Sequence, residues 1–126
     1  MVIRSFFYRS RRIVATGDLC VTWAVGNNVA DRGADYENWL RALDTMISWV
    51  PETLVPGHGV PGKVQALQPQ RAYLSDMLNQ VRSGMRAGKS AEELAKTIDL
   101  RGHGTIANDA EANATSVRAM YRRLSQ

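Results

Sequence analysis

The spacing of apolar and polar positions changes along this 126-residue chain, and the changes delimit its predicted elements. Apolar runs at residues 13–15 and 19–25 are rich in β-branched and aromatic residues, which predicts two strands. After Asp35 the apolar residues recur every three or four positions, which predicts an amphipathic helix. Its stripe consists of Tyr36, Trp39, Leu40, Leu43, Ile47 and Val50. Pro51 ends this helix, and residues 53–55 predict a further strand.

The remainder of the chain shows helical spacing in three segments. The longest stripe contains Leu67, Leu74, Met77, Leu78, Val81 and Met85. Gly88 suits the residue that follows a helix C-terminus, and Ser90 with Glu93 forms a capping box that opens a short third helix. After a glycine-containing loop, Asn108 or Asp109 is expected to cap a last helix. The predicted order is β-β-α-β-α-α-α.

Composition places the chain among ordinary globular domains, with 44% hydrophobic and 22% charged residues. No apolar run approaches the roughly 20 residues that a membrane-spanning helix needs. The single cysteine, Cys20, excludes an internal disulfide and fits a reducing compartment. We therefore expect a cytoplasmic location and no membrane partner.

The net charge of +4 is concentrated at the N-terminus. Residues 1–12 hold four arginines and no acid, so the remaining 12 basic and 12 acidic residues cancel. The basic character therefore belongs to an N-terminal arm, and no nucleic-acid partner is expected. We expect an edge strand at residues 2–8, with a targeting segment or a replaced gene start as alternatives. Residues 13–126 form the domain itself.

Two strand ends carry the candidate chemistry. Residues 13–18 read Ile-Val-Ala-Thr-Gly-Asp and end on Asp18. Residues 53–59 read Thr-Leu-Val-Pro-Gly-His-Gly, so a strand is expected to deliver His58 to a loop shaped by Pro56, Gly57 and Gly59. One of these glycines is expected at positive φ, and both let backbone approach closely. The alternative interpretations are a turn-forming Asp18 and a loop histidine bonded to a carbonyl.

These two motifs, separated by a helix, resemble the C-terminal half of the metallo-β-lactamase superfamily, over roughly residues 13–124. The resemblance implies an αββα sandwich of two similar halves with metal ions at the seam. This chain corresponds to one half, a small sheet with helices on one face. The resemblance also implies that Asp18 bridges two metal ions and that His58 ligates one. The family's His-x-His-x-Asp-His motif is absent from this sequence.

Two further residues are auxiliary ligand candidates. Cys20 follows Asp18 by two positions, so in regular strand geometry both side chains share a face. The alternative is a small buried apolar cysteine. His103 is either an auxiliary ligand or a surface loop residue. A catalytic zinc site takes three protein ligands and a water, so we expect no cofactor on the isolated chain and zinc only where the site is completed.

The expected function follows from a half-sandwich whose inner sheet face lacks a cover. That face is expected to carry Val14, Leu19, Val21 and Trp23. The first hypothesis is a truncated metallo-β-lactamase-like protein, inactive as a zinc hydrolase by itself, that forms a homo-oligomer, most simply a dimer. The second is a metal-dependent hydrolase assembled with a complementary half-domain. The third is a small-molecule binding protein that uses the inherited cleft.

Overall fold

The computed structural model describes residues 5–21, 29–107 and 109–126. The elements are β1 (Phe6–Tyr8), β2 (Ile13–Val21), α1 (Tyr36–Ser48), β3 (Thr53–His58), α2 (Leu67–Arg86), α3 (Ala91–Thr97) and α4 (Ala110–Leu124). Single 3₁₀ segments lie at Arg9–Arg11, Val64–Ala66 and Arg101–Ala107. The architecture is α/β. None of the described helices is long and apolar enough to cross a membrane.

The described elements follow the order β-β-α-β-α-α-α, but the two strands before α1 are the edge strand and one continuous strand, not the segments predicted at 13–15 and 19–25. The edge strand β1 is present at Phe6–Tyr8, whereas residues 2–4 lie outside the described residues. The segments expected as separate strands at 13–15 and 19–21 form one strand, β2, with irregular register on either side of Gly17. Gly17 adopts φ 52°, so it bends the strand without ending it. Residues 22–28, including the expected break, also lie outside the described residues.

The three strands form one mixed sheet in the order β1-β2-β3. β1 runs antiparallel to β2, and β2 runs parallel to β3. The register aligns three cross-strand rows: Phe6, Ala15 and Val55; Phe7, Val14 and Leu54; Tyr8, Ile13 and Thr53. Because successive residues point to opposite faces, the middle row lies on one face and the two flanking rows on the other.

The middle row packs into the core, and the flanking rows form what we call the open sheet face. Val14 and Leu54 are fully buried beside residues of the helices. The open sheet face consists of Phe6, Tyr8, Ile13, Ala15, Thr53 and Val55. Phe6 is 66% exposed, Tyr8 62% and Val55 38%. One face of the sheet is therefore apolar and accessible.

The residues expected on the uncovered face were assigned wrongly. Val14 and Val21 are buried within the chain, and Leu19 is partly buried with its carbonyl accepting a hydrogen bond from Trp39 Nε1 at 2.8 Å. Trp23 lies outside the described residues. The error has a physical cause: β2 is apolar at both alternating positions, so its sequence pattern does not select a face.

Helix α1 begins where expected and ends earlier. The Asp35 carboxylate accepts a hydrogen bond from the Asn38 backbone N–H, which caps the helix. The buried residues are Tyr36, Trp39, Leu43 and Met46. Val50 does not belong to this stripe, because the chain leaves the helix after Ser48 and Val50 is 57% exposed at φ 47°.

The signals at the ends of the last three helices are confirmed. Gly88 follows α2 at φ 76°, and the N–H of Lys89 reaches the carbonyl of Gly84, as in a Schellman motif. Ser90 and Glu93 form the reciprocal capping box of α3. Asp109 accepts from the N–H of Ala112 and caps α4. The expected loop after α3 is instead a 3₁₀ segment with a kink at Gly104.

Candidate functional site

The carboxyl ends of two parallel strands bring the two motif residues together. Asp18 lies in the distal half of β2, and His58 is the last residue of β3. The His58 Nε2 and Asp18 Oδ1 atoms are 3.3 Å apart. The His58 side chain is 54% exposed and that of Asp18 35%, so the pair is open to solvent. This edge of a parallel pair is where α/β sheets commonly bind ligands.

Gly57 makes this approach possible. A Cβ on Gly57 would lie 2.5 Å from the Gly17 carbonyl carbon and 2.7 Å from the Asp18 nitrogen. Real Cβ atoms do not come that close to backbone, so any side chain at Gly57 would push β2 and β3 apart. The expected positive φ occurs at Gly59, which has φ 108°. Close approach, not a left-handed backbone, accounts for the glycine at position 57.

The expected loop at residues 56–59 is largely a strand. Pro56, Gly57 and His58 belong to β3, with Pro56 opposite Gly17 and His58 opposite Val21. The buried Thr16 hydroxyl donates to the Gly17 carbonyl at 2.9 Å, beside the strand irregularity. His58 therefore lies at the end of β3, next to the strand β2 that carries Asp18.

Cys20 takes the apolar role. Its thiol is fully buried and lies 3.8 Å from the Ala66 carbonyl oxygen. Burial raises the pKa of the Cys20 thiol to about 11. A metal-ligating cysteine needs a readily formed thiolate, which burial away from charge opposes. Of the two interpretations of Cys20, the small buried apolar cysteine is confirmed, because Cys20 points into the core while Asp18 stays partly exposed.

His103 is neither a ligand beside His58 nor a surface loop residue. It lies in the 3₁₀ segment Arg101–Ala107, with its side chain only 18% exposed. Its Nε2 is 2.8 Å from Asp76 Oδ2, and its ring meets Tyr73 edge-on with centroids 6.0 Å apart. The pair ties the 3₁₀ segment to α2. No local pattern indicates Asp76 as the partner of His103, because the two residues lie 27 positions apart.

The donors at the strand ends do not make a catalytic zinc site by themselves. Such a site needs three protein ligands and an open position. Asp18 and His58 supply two, while Cys20 is buried and His103 is held by Asp76. Across the described residues, no group of three or more His, Cys, Asp and Glu side chains is placed to hold a metal ion. Asp18 and His58 lie side by side, but within the described residues they do not make a complete ligand set.

Two features were not anticipated from the sequence. One is the identity of the open sheet face, for which the alternation of Phe6 and Tyr8 in β1 was the available signal. The other is a cavity of about 500 Å³ between α3, the 3₁₀ segment and α4, which no local pattern indicates. Comparison with known proteins adds no assignment: no family model matches the chain, and no curated protein matches it significantly.

Proposed function

We propose that this chain is one half of a metallo-β-lactamase-like sandwich that self-associates through its open sheet face and does not act as a zinc hydrolase on its own. The observation that carries the proposal is the open sheet face itself. Phe6 and Tyr8 are about two-thirds exposed, and Val55 completes the row across the sheet. A single chain seldom leaves so contiguous an apolar surface in water unless something binds it.

The magnitude supports a second copy as the cover. Phe6 and Tyr8 from two copies place four aromatic side chains in a two-fold interface. Each of these side chains is already about one-third buried in the single chain, so at about 1.5–3 kcal/mol for full burial the four contribute roughly 4–8 kcal/mol. Association itself costs on the order of 4–15 kcal/mol, so a stable dimer also requires burial of Ile13, Ala15 and Val55. A two-fold axis uses one self-complementary patch twice, which requires no other partner.

The mass of the pure chain tests this proposal. Sedimentation at micromolar concentration is expected to give a dimer or larger species. Tyr8→Lys places a charge in the open sheet face and is expected to give a monomer that keeps its fold by circular dichroism. Val60→Lys is the matched control, because Val60 is 75% exposed and lies outside the three strands. A folded wild-type monomer at micromolar concentration contradicts the proposal.

Metal content and turnover test the second half of the proposal. A hydroxide held on zinc is the nucleophile the family resemblance implies, and metal lowers the pKa of bound water to about 7. With two donors in place, we expect substoichiometric zinc after purification without chelator. We also expect no lactamase or thioesterase turnover. Turnover that a chelator abolishes, in a preparation free of other hydrolases, would contradict this.

A second candidate is a metal-dependent hydrolase assembled with a partner chain. The observation that favours it is the 3.3 Å approach of His58 Nε2 to Asp18 Oδ1 at an accessible edge, which brings an imidazole and a carboxylate together. Near-stoichiometric zinc that is lost in His58→Ala and retained in His103→Ala would favour this candidate. The comparison is matched, because each histidine faces one aspartate and only His58 lies at the strand ends.

A further inference from the structure

The cavity between the last two helices has the size and construction of a small-molecule site. It measures about 500 Å³, within the range of roughly 300–1,000 Å³ typical of ligand pockets. Its lining is as polar as it is apolar, and the apolar part consists of Ala95, Ala107, Ala110, Ala114 and Val117, with Ile98 and Leu100. Alanines on facing elements leave room that larger side chains would fill.

Hydrogen bonds hold the cavity walls in place. The Tyr73 hydroxyl donates to Asn113 Oδ1 at 2.7 Å, and Asn113 Nδ2 donates to the Ala107 carbonyl at 3.0 Å. Asn113 therefore connects α2, the 3₁₀ segment and α4 at the cavity wall. On the outer side, the Arg118 guanidinium bonds both carboxylate oxygens of Glu92, at 2.7 and 3.1 Å, which ties α4 to α3. A wall held from several elements is preorganised for a ligand.

The charges at the cavity favour an anion. Asp99 and Arg101 both line the cavity and form a bidentate ion pair, so their charges neutralise each other. Arg101 Nε lies 2.9 Å from Asp99 Oδ1, and a terminal guanidinium nitrogen lies 2.7 Å from Asp99 Oδ2. Lys96, in the last turn of α3, is the remaining charged residue in the lining. It is exposed, and after Arg118 it also helps to lower the pKa of the neighbouring Glu92 carboxyl. A cationic ligand would face Lys96 and would have to compete with Arg101 for Asp99. An anionic group would lie near Lys96, and Asp99 would repel it little because Arg101 already pairs with that carboxylate.

We propose that this cavity binds a small organic carboxylate whose apolar body lies against the alanine-lined wall and whose anionic group faces Lys96. The site is separate from the Asp18–His58 pair and from the open sheet face, so it does not depend on metal binding or self-association. Its ligand class is a compact aromatic or branched aliphatic carboxylate. The apolar wall supplies most of the affinity, and Lys96 supplies the preference for charge.

Three probes with the same ring system separate these contributions: naphthoate, naphthalenemethanol and naphthylmethylamine. Each is titrated into isotope-labelled protein while backbone amide shifts are recorded. We expect naphthoate to bind most tightly and the amine least, with shifts centred on Leu100, Ala107 and Val117. Lys96→Ala is expected to weaken naphthoate roughly two- to fivefold, as for an exposed ion pair, and to leave the alcohol unchanged. Lys89→Ala is the charge control, since Lys89 lies outside the cavity lining.

Filling the cavity gives the decisive comparison. Ala114→Phe occupies the wall and is expected to abolish saturable binding of all three probes. Ala72→Phe places the same side chain on an exposed position of α2 and is expected to change nothing. If Ala114→Phe unfolds the protein, the proposal is still tested by the order of the three probe affinities and by the effect of Lys96→Ala on naphthoate binding. Equal affinity for anion and cation, undiminished naphthoate binding in folded Ala114→Phe, or shifts confined to the open sheet face would overturn the proposal.

Discussion

Replacing Gly57 is expected to damage the fold more than removing the histidine beside it. In Gly57→Ala the new methyl group would meet the Gly17 carbonyl carbon at 2.5 Å and the Asp18 nitrogen at 2.7 Å. Both atoms belong to the backbone of β2, so neither moves without shifting the strand. Overpacking of this kind costs about 1–3 kcal/mol, and the backbone contacts place Gly57→Ala at the upper end. Gly57→Val is expected to cost more.

His58→Ala removes a side chain that is more than half exposed. Its Nε2 lies 3.3 Å from Asp18 Oδ1, and an exposed pair of this kind contributes about 0–1 kcal/mol. The two variants should therefore differ by roughly 2–3 kcal/mol in free energy of unfolding. For a domain of this length each kcal/mol shifts the melting temperature by about 3–6 °C, so a thermal or urea melt resolves the difference.

The matched control is Gly62→Ala, whose Cβ would lie 4.0 Å from the Ala66 Cβ at an ordinary contact distance. We expect its melting temperature to stay near that of the wild type. Melts with and without added zinc separate a packing effect from a ligand effect. A larger loss for His58→Ala than for Gly57→Ala would refute the reasoning, because it would mean that the imidazole still holds a metal ion or an interface together.

Three further variants test other parts of the structure. Gln70 is fully buried, and neither atom of its side-chain amide is hydrogen-bonded. Gln70→Met should therefore raise the free energy of unfolding, measured by urea melts, by about 1 kcal/mol. Gln68→Met, at an exposed position, is the control and should leave it unchanged. Ser90→Ala removes the α3 cap and should lower the free energy of unfolding by about 1 kcal/mol. Ser83→Ala should lower it less, and an equal loss in the two variants would contradict the capping role of Ser90. Burial raises the pKa of Cys20 from 9.0 to about 11, so the unfolded chain loses this proton first. Ionisation of Cys20 should therefore lower the free energy of unfolding as the pH rises from about 9 to about 11. In urea melts at several pH values, Cys20→Ala should show a smaller decrease over this range.

Local signals in the sequence were sufficient for most of the helical part. The Ser90 cap, the glycine after α2 and Asp109, one of two candidates for the last cap, were identified correctly, because each depends on hydrogen bonds between residues a few positions apart. The helical stripes also identified most buried residues. The exception at the end of α1 is Val50, where the chain turns before Pro51 through a left-handed conformation that periodicity does not reveal.

The candidate site was predicted in part. The motifs singled out Asp18 and His58, and the parallel pairing of β2 with β3 places them side by side. Their neighbours were decided by tertiary structure: Cys20 turned into the core, and His103 paired with Asp76 on α2. Sequence spacing gives a residue's position along a strand, but burial and long-range partners depend on which elements pack together.

The sequence by itself determined the helices and the caps of the last two, since these follow from periodicity and local hydrogen bonding, and its strand-end motifs singled out Asp18 and His58. Only the tertiary structure decided which sheet face is open, why residue 57 is glycine, and where the cavity lies. The physical reason is the register between strands. β2 is apolar on both faces, so the choice of exposed face comes from the rows it shares with β1 and β3 and from the helices that cover the middle row.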